Sequence, residues 1–216
     1  MSSQTLTPRQ VADAGLGGWL HGPGALTTRI RTGDFATGLR LVNAVGEAAE
    51  ELNHHPDLTL RYAEVDVRLS SHDVGGVTDR DVRLARRVTE LAAEVGATPS
   101  TAGLSMLELA LDTPGPSGIL PFWEAVLRMS RTSASDDLVD RSGSLPALWF
   151  QESGSEEPRQ RWHLDVWVDP AHVDDLIEAA ERAGGRLVSD DQAPSFWVLA
   201  DPEGNEACLC TWQDRA

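Results

Sequence analysis

Residues 49–85 read AEELNHHPDLTLRYAEVDVRLSSHDVGGVTDRDVRLA, and the pattern changes three times along them. An amphipathic helix runs in from Asp34, which can cap it, with Phe35, Leu39, Val42, Val45 and Leu52 roughly on one face. Asn53-His54-His55-Pro56 stops that helix, because the residue before a proline avoids the α region. Residues 59–71 then alternate, with Leu60, Tyr62, Val65, Val67 and Leu69 as the apolar members, which predicts strands with one polar face. Thr78 opens a second amphipathic helix, with Asp81 at its third position as a capping-box analogue. Val82, Leu84, Ala85, Val88, Leu91 and Ala92 supply its core side, and Gly96 ends it.

Outward from this stretch the elements stay short and mixed. Residues 8–15 form a short helix with Thr7 as N-cap before Pro8, and residues 24–33 a strand. The small polar run ATPSTAG, from Ala97 to Gly103, is the best linker. Beyond it come a strand at 104–112, a helix near 118–129, a polar loop, a strand at LPALWFQ, and a strand at RWHLDVWVD. A helix follows with Pro170 in its first turn and Gly184 and Gly185 at its end, then strands at 186–189, 195–200 and 206–212. The second half therefore reads as two consecutive βαβββ modules, a repeat of element order and not of residues. The expected class is α+β. The expected organisation is a first domain at 1–96, a linker at 97–102 and a second domain at 103–216.

Composition narrows the function classes. The 216 residues carry a net charge of −16, and no apolar run approaches the length that spans a bilayer. The first 97 residues hold 13 acidic and 10 basic side chains, the rest 21 and 8. Such a surface repels a phosphate backbone, so no nucleic acid partner is expected, and no membrane. Every basic residue is arginine, which excludes a lysine nucleophile or Schiff base. The N-terminal ten residues lack the apolar stretch of a signal peptide. Cys208 and Cys210 fall on one face of a strand, where they read as two small apolar side chains, and a reducing, cytoplasmic compartment is expected.

Chemistry concentrates in residues 50–81, which hold Glu50, His54, His55, Tyr62, His72 and Asp81. Loop histidines can be solvated and idle, can bind a metal, or can exchange protons near neutral pH. The spacing Glu50-x3-His54-His55-Pro56-x5-Tyr62-x9-His72-x8-Asp81 resembles the signature of the pterin-4a-carbinolamine dehydratases at every position, and the resemblance extends over about residues 5–95. It implies a four-stranded antiparallel sheet with helices on one face. It also implies dehydration of 4a-hydroxytetrahydropterin to quinonoid dihydropterin with no metal or cofactor, and a homo-oligomer. On that resemblance His54 and His72 are the proton-transfer pair, and His55 orients the pterin. Asn53, Ser70, Ser71, Asp73, Glu50, Arg80, Asp81 and Trp19 line or position the substrate site. Asn53 stands where the family often has aspartate. Glu50 is expected to hold His54 or His55, and Arg80 and Asp81 to position the loop.

RWHLDVWVD and FWVLADPEGNEACLC are similar to the glyoxalase-like branch of the vicinal oxygen chelate superfamily. That resemblance makes His163 and Glu206 weak candidates for a divalent metal, with Ser105 or Glu108 a poor third ligand and no second histidine obvious. Six of the seven tryptophans lie in this half, where they either form a binding cup or fill its core. Two rival functions stand beside the dehydratase: a non-catalytic dimerisation or ligand-binding scaffold, and a metal-dependent lyase or dioxygenase in the second half.

Overall fold

The computed structural model describes residues 4–127, 129–132, 136–140, 143, 145–153, 162–200 and 206–215, without the side chains of residues 122, 125, 126 and 163. The chain divides into two compact units: Met1–Leu104 together with Trp212–Ala216, and Ser105–Thr211. No helix among the described residues is long and apolar enough to cross a membrane.

In the first unit, α1 (Pro8–Asp13) starts in a capping box in which Thr7 and Gln10 bond each other's backbone. The expected strand at 24–33 is a hairpin, β1 (Leu20–Gly22) and β2 (Ala25–Arg31), followed by α2 (Phe35–Leu52). β3 (Asp57–Leu60), β4 (Glu64–Leu69) and α3 (Asp79–Glu94) complete the set. The sheet is antiparallel with order β1-β2-β4-β3. A fifth strand, β5 (Pro99–Ser100), lies within the segment expected as a linker and pairs with β2 at Arg29 and Ile30. β4 alternates as expected: Val65, Val67 and Leu69 are buried, and Glu64, Asp66 and Arg68 point outward. Asp66 accepts from Arg29 Nε and Nη2, at 2.7 and 2.8 Å, and from Arg61 as well.

Three residues expected on the apolar face of α2 are corrected. Phe35, Leu39 and Leu52 are exposed, and the buried stripe is Thr37, Gly38, Leu41, Val45, Ala48 and Ala49. Close approach selects the stripe: a Cβ on Gly38 would stand 2.7 Å from the Leu60 side chain, so the smallest residues face the sheet. Tyr62 is likewise outside the alternation, 76% exposed in the turn between β3 and β4.

The second unit shows the doubled βαβββ order. β6 (Met106–Thr113), α4 (Pro116–Leu127), β7 (Ser130–Arg131), β8 (Leu138–Val139) and β9 (Ala147–Glu152) form one module. β10 (Trp162–Trp167), a 3₁₀ turn at Pro170–His172, α5 (Val173–Arg182), β11 (Arg186–Ser189), β12 (Phe196–Ala200) and β13 (Glu206–Cys210) form the other. In each module the first strand pairs parallel with the last, and β6 and β10 join the modules antiparallel. The polar loop expected between α4 and β9 contains β8 and the end of β7, each only two residues long and so too short to announce itself. Leu111, Leu120, Leu138 and Leu148 make the core on the α4 side.

Candidate functional site

The turn after α2 sorts the two adjacent histidines. Asn53 takes left-handed angles, φ 48° and ψ 46°, which asparagine tolerates better than most residues. The His54 backbone N–H then donates to the Ala49 carbonyl at 3.0 Å. His54 turns inward and is 7% exposed, whereas the His55 side chain is 58% exposed and meets Glu50 Oε1 at 3.0 Å. Of the two partners expected for Glu50, the structure selects His55. An ion pair this open contributes at most about 1 kcal/mol.

The start of α3 supplies what holds His54. Thr78 caps the helix, and Asp81, fully buried, returns the bond: its Oδ2 accepts from the Thr78 N–H at 2.7 Å. Ser71 Oγ donates to the same oxygen at 2.7 Å and lies 2.8 Å from Thr78 Oγ1. The other carboxylate oxygen, Oδ1, is 2.7 Å from His54 Nε2. A carboxylate only accepts, so the shared proton is on Nε2 and Nδ1 keeps the lone pair. The cap of α3 therefore also fixes the tautomer and direction of His54.

His72 and Asp73 occupy the tight loop that Ser71 closes with Gly76 through bonds in both directions. His72 is exposed. Arg80 Nη2 donates to Asp73 Oδ1 at 2.5 Å. That bond is the main reason the Asp73 carboxyl lies below the usual carboxylate range.

Of the residues singled out from the sequence, His54, Ser71 and Asp81 share one buried network, and Arg80 pairs with Asp73. Ser70 Oγ instead donates to the Gly24 carbonyl at 2.8 Å. Trp19 lies outside this network: it is buried in the core beneath α3, and its indole N–H donates to Thr89 Oγ1 at 3.1 Å, two turns along α3 from Asp81. The Thr78 hydroxyl was missed as a site member. Its capping pattern was legible, but nothing in a capping pattern says where the second face of the aspartate points.

In the second unit, Asp165 and Glu108 lie directly opposite each other on β10 and β6. Trp149 Nε1 donates to Asp165 Oδ2 at 3.1 Å and Trp167 Nε1 to Glu108 Oε2 at 2.7 Å. Strand alternation places these pairs on the face away from α4. Trp123 and Trp162 make an edge-to-face pair, with centroids 5.4 Å apart at 87°. Among the described residues no group of three His, Cys, Asp or Glu side chains is arranged to hold a metal. The His163 side chain and residues 201–205, most of the DPEGNE turn, lie outside the described residues; Glu206 opens β13 and is exposed.

Comparison with known proteins assigns the domain that carries this sheet, its helices and the His54–Asp81 pair to a dehydratase family. The profile of the family described as "Pterin 4 alpha carbinolamine dehydratase" matches residues 4–91, and that of the "Glyoxalase-like domain" matches residues 108–210. A protein of Koribacter versatilis named "Putative pterin-4-alpha-carbinolamine dehydratase" is 40% identical over 91 residues, 41% of this chain and 97% of that protein. Proteins of the same name from Thermomicrobium roseum and Streptomyces coelicolor are each 43% identical, over 82% and 99% of their lengths and 35% and 45% of this chain. The crystal structure of a transcriptional coactivator/pterin dehydratase from Brucella melitensis aligns with a TM-score of 0.40 at 33% identity, covering 41% of this chain and 99% of that one. A glyoxalase/bleomycin resistance protein/dioxygenase superfamily member from Vibrio splendidus aligns with a TM-score of 0.33 at 10% identity, covering 50% and 98%. The chain belongs to the pterin-4-alpha-carbinolamine dehydratase family through its first unit, and carries a glyoxalase-like domain in its second.

Proposed function

We propose that the first unit dehydrates a 4a-hydroxytetrahydropterin to the quinonoid dihydropterin by histidine acid–base catalysis. The carbon–oxygen bond at C4a breaks, the hydroxyl leaves as water after taking a proton, and N5 gives up its proton as the N5–C4a double bond forms. One acid and one base held on the pterin balance the reaction, so the proton count of the enzyme is unchanged over a turnover. The reading rests on His54, whose Nε2 is occupied by Asp81 and whose Nδ1 carries the lone pair. His72, on the exposed loop one residue beyond Ser71, is its partner in proton transfer, and His55 orients the ring. Asn53, Ser70, Ser71, Asp73, Glu50 and Arg80 shape the loops around them. Tetrahydrobiopterin is the pterin we propose as the parent of the substrate, and the cytoplasm as the compartment, in keeping with thiols at Cys208 and Cys210. Exposed Phe35 and Leu39, one turn apart on α2, support a homo-oligomer.

The experiment is to generate the 4a-carbinolamine enzymatically and follow its loss by ultraviolet absorbance with the full chain. Acceleration by wild type that is lost in His54→Ala and in His72→Ala supports the assignment. Equal rates with and without the protein would overturn it.

A further inference from the structure

The first unit holds a concavity that the histidine network does not use. It is a cleft of about 390 Å³ lined by Val11, Ala12, Leu16, Trp19, His21, Leu26, Trp212 and the glycines of the 15–17 turn. No member of the His54–Asp81–Ser71 network lines it. His21 and Leu26 are directly paired across β1 and β2, so both side chains leave the sheet on the cleft side. Gly15 and Gly17 are exposed, and a Cβ built on either meets nothing within 4 Å.

One observation there asks for a ligand. The Nδ1 atom of His21 is buried and has no hydrogen-bond partner among the described residues. A buried polar atom left in this state is destabilising, because it has lost its hydration and gained no partner. Burial also lowers the proton affinity of the ring below the ordinary histidine value, so at neutral pH the imidazole is uncharged and offers one N–H and one lone pair. No charged side chain lines the cleft, so an ionised ligand would lose its hydration without compensation. Two indoles and several aliphatic groups favour a flat apolar body. A hydroxyl satisfies Nδ1 in either tautomer, because it both donates and accepts.

We propose that this cleft is a second small-molecule site, which takes an uncharged hydroxylated aromatic ring, its face against Trp19 and Trp212 and its hydroxyl on His21 Nδ1. The site is independent of the dehydratase assignment, since it shares no residue with the histidine network.

Phenol and toluene are the probes, since they differ by a hydroxyl in place of a methyl. Each is titrated into the full chain by calorimetry, with imidazole ¹⁵N resonances followed by NMR. Phenol is expected to shift the His21 nitrogens and to bind about ten-fold more tightly than toluene, the ratio one hydrogen bond to an otherwise unsatisfied buried group provides. His21→Leu is expected to abolish that preference while toluene still binds. Gly17, an exposed lining residue whose backbone does not require φ > 0, can be changed to leucine to crowd the cleft, and both probes then weaken by at least about ten-fold. Equal affinity for the two probes in wild type would overturn the proposal and leave Nδ1 to ordinary solvent. Binding untouched by Gly17→Leu, or no binding of either probe, would overturn it too.

Discussion

His54 and Asp81 are 27 residues apart in the chain and 2.7 Å apart in the fold. The aspartate is at once the N3 residue of the α3 capping box and the anchor of the one buried histidine in the loop after α2. Stability and chemistry thus share a side chain, and each can be tested against the other.

Asp81→Asn keeps the shape but leaves one acceptor oxygen for the two donors, His54 Nε2–H and Thr78 N–H, with an NH2 group facing the other. We expect dehydration to fall by about 10²-fold or more, in kcat rather than KM. The cap weakens at the same time, by about 1–2 kcal/mol. Urea unfolding beside steady-state rates separates the two, and a variant that loses stability but retains kcat would refute the positioning role.

His72→Ala and His55→Ala remove exposed side chains, so neither is expected to change stability by more than about 0.5 kcal/mol. Their rates should differ. His72→Ala is expected to lose about 10²–10⁴-fold as a proton-transfer residue. A rise in KM should be the main effect of His55→Ala. The reverse pattern would exchange the two roles.

Ser71→Ala leaves Asp81 Oδ2 short of a donor in a fully buried place. The expected cost is about 1–3 kcal/mol, read from chemical denaturation. An unchanged midpoint would mean that another group replaces the Ser71 hydroxyl.

Asp66 tests the sheet. Burial opposes its ionisation, yet the guanidiniums of Arg29 and Arg61 outweigh it and hold its pKa below the ordinary 3.8. The unfolded chain therefore binds this proton more readily than the folded one. The stabilisation is complete above about pH 4–5 and disappears as pH falls through the folded value. Asp66→Asn should be less stable than wild type at pH 7 and lose less on acidification, so the two urea midpoints converge as the Asp66 carboxylate takes up its proton. Parallel profiles would exclude the pair as a source of acid sensitivity.

Gly18 has φ 78°, and a Cβ there would stand 2.3 Å from the Pro99 carbonyl oxygen. Gly18→Ala combines left-handed strain with a backbone clash, and is expected to destabilise by about 1–3 kcal/mol or more. Because β5 follows Pro99 along β2, hydrogen exchange at Arg29 and Ile30 should speed up with it. Unchanged protection there would mean that β5 does not depend on this contact.

What could be read along the chain was whatever repeats with a local period or is decided within one turn. The stripe of α3 from Val82 to Ala92, the Thr7 and Thr78 caps, the alternation of Val65, Val67 and Leu69, and the doubled βαβββ order all emerge from spacing, as did the histidines through their resemblance to a family. Tertiary contact decided the rest. The buried face of α2 passed from Phe35 and Leu39 to Gly38, Ala48 and Ala49 because the distance between helix and sheet, absent from any periodicity, rewards small residues. Which carboxylate meets which histidine was decided in the same way. Glu50 and Asp81 both bear the right group, but only the fold brings the cap of α3 against the turn after α2, and so gives the buried partner to His54 and the solvated one to His55. A hydrogen bond depends on position to a few tenths of an ångström, and sequence spacing sets position only within an element.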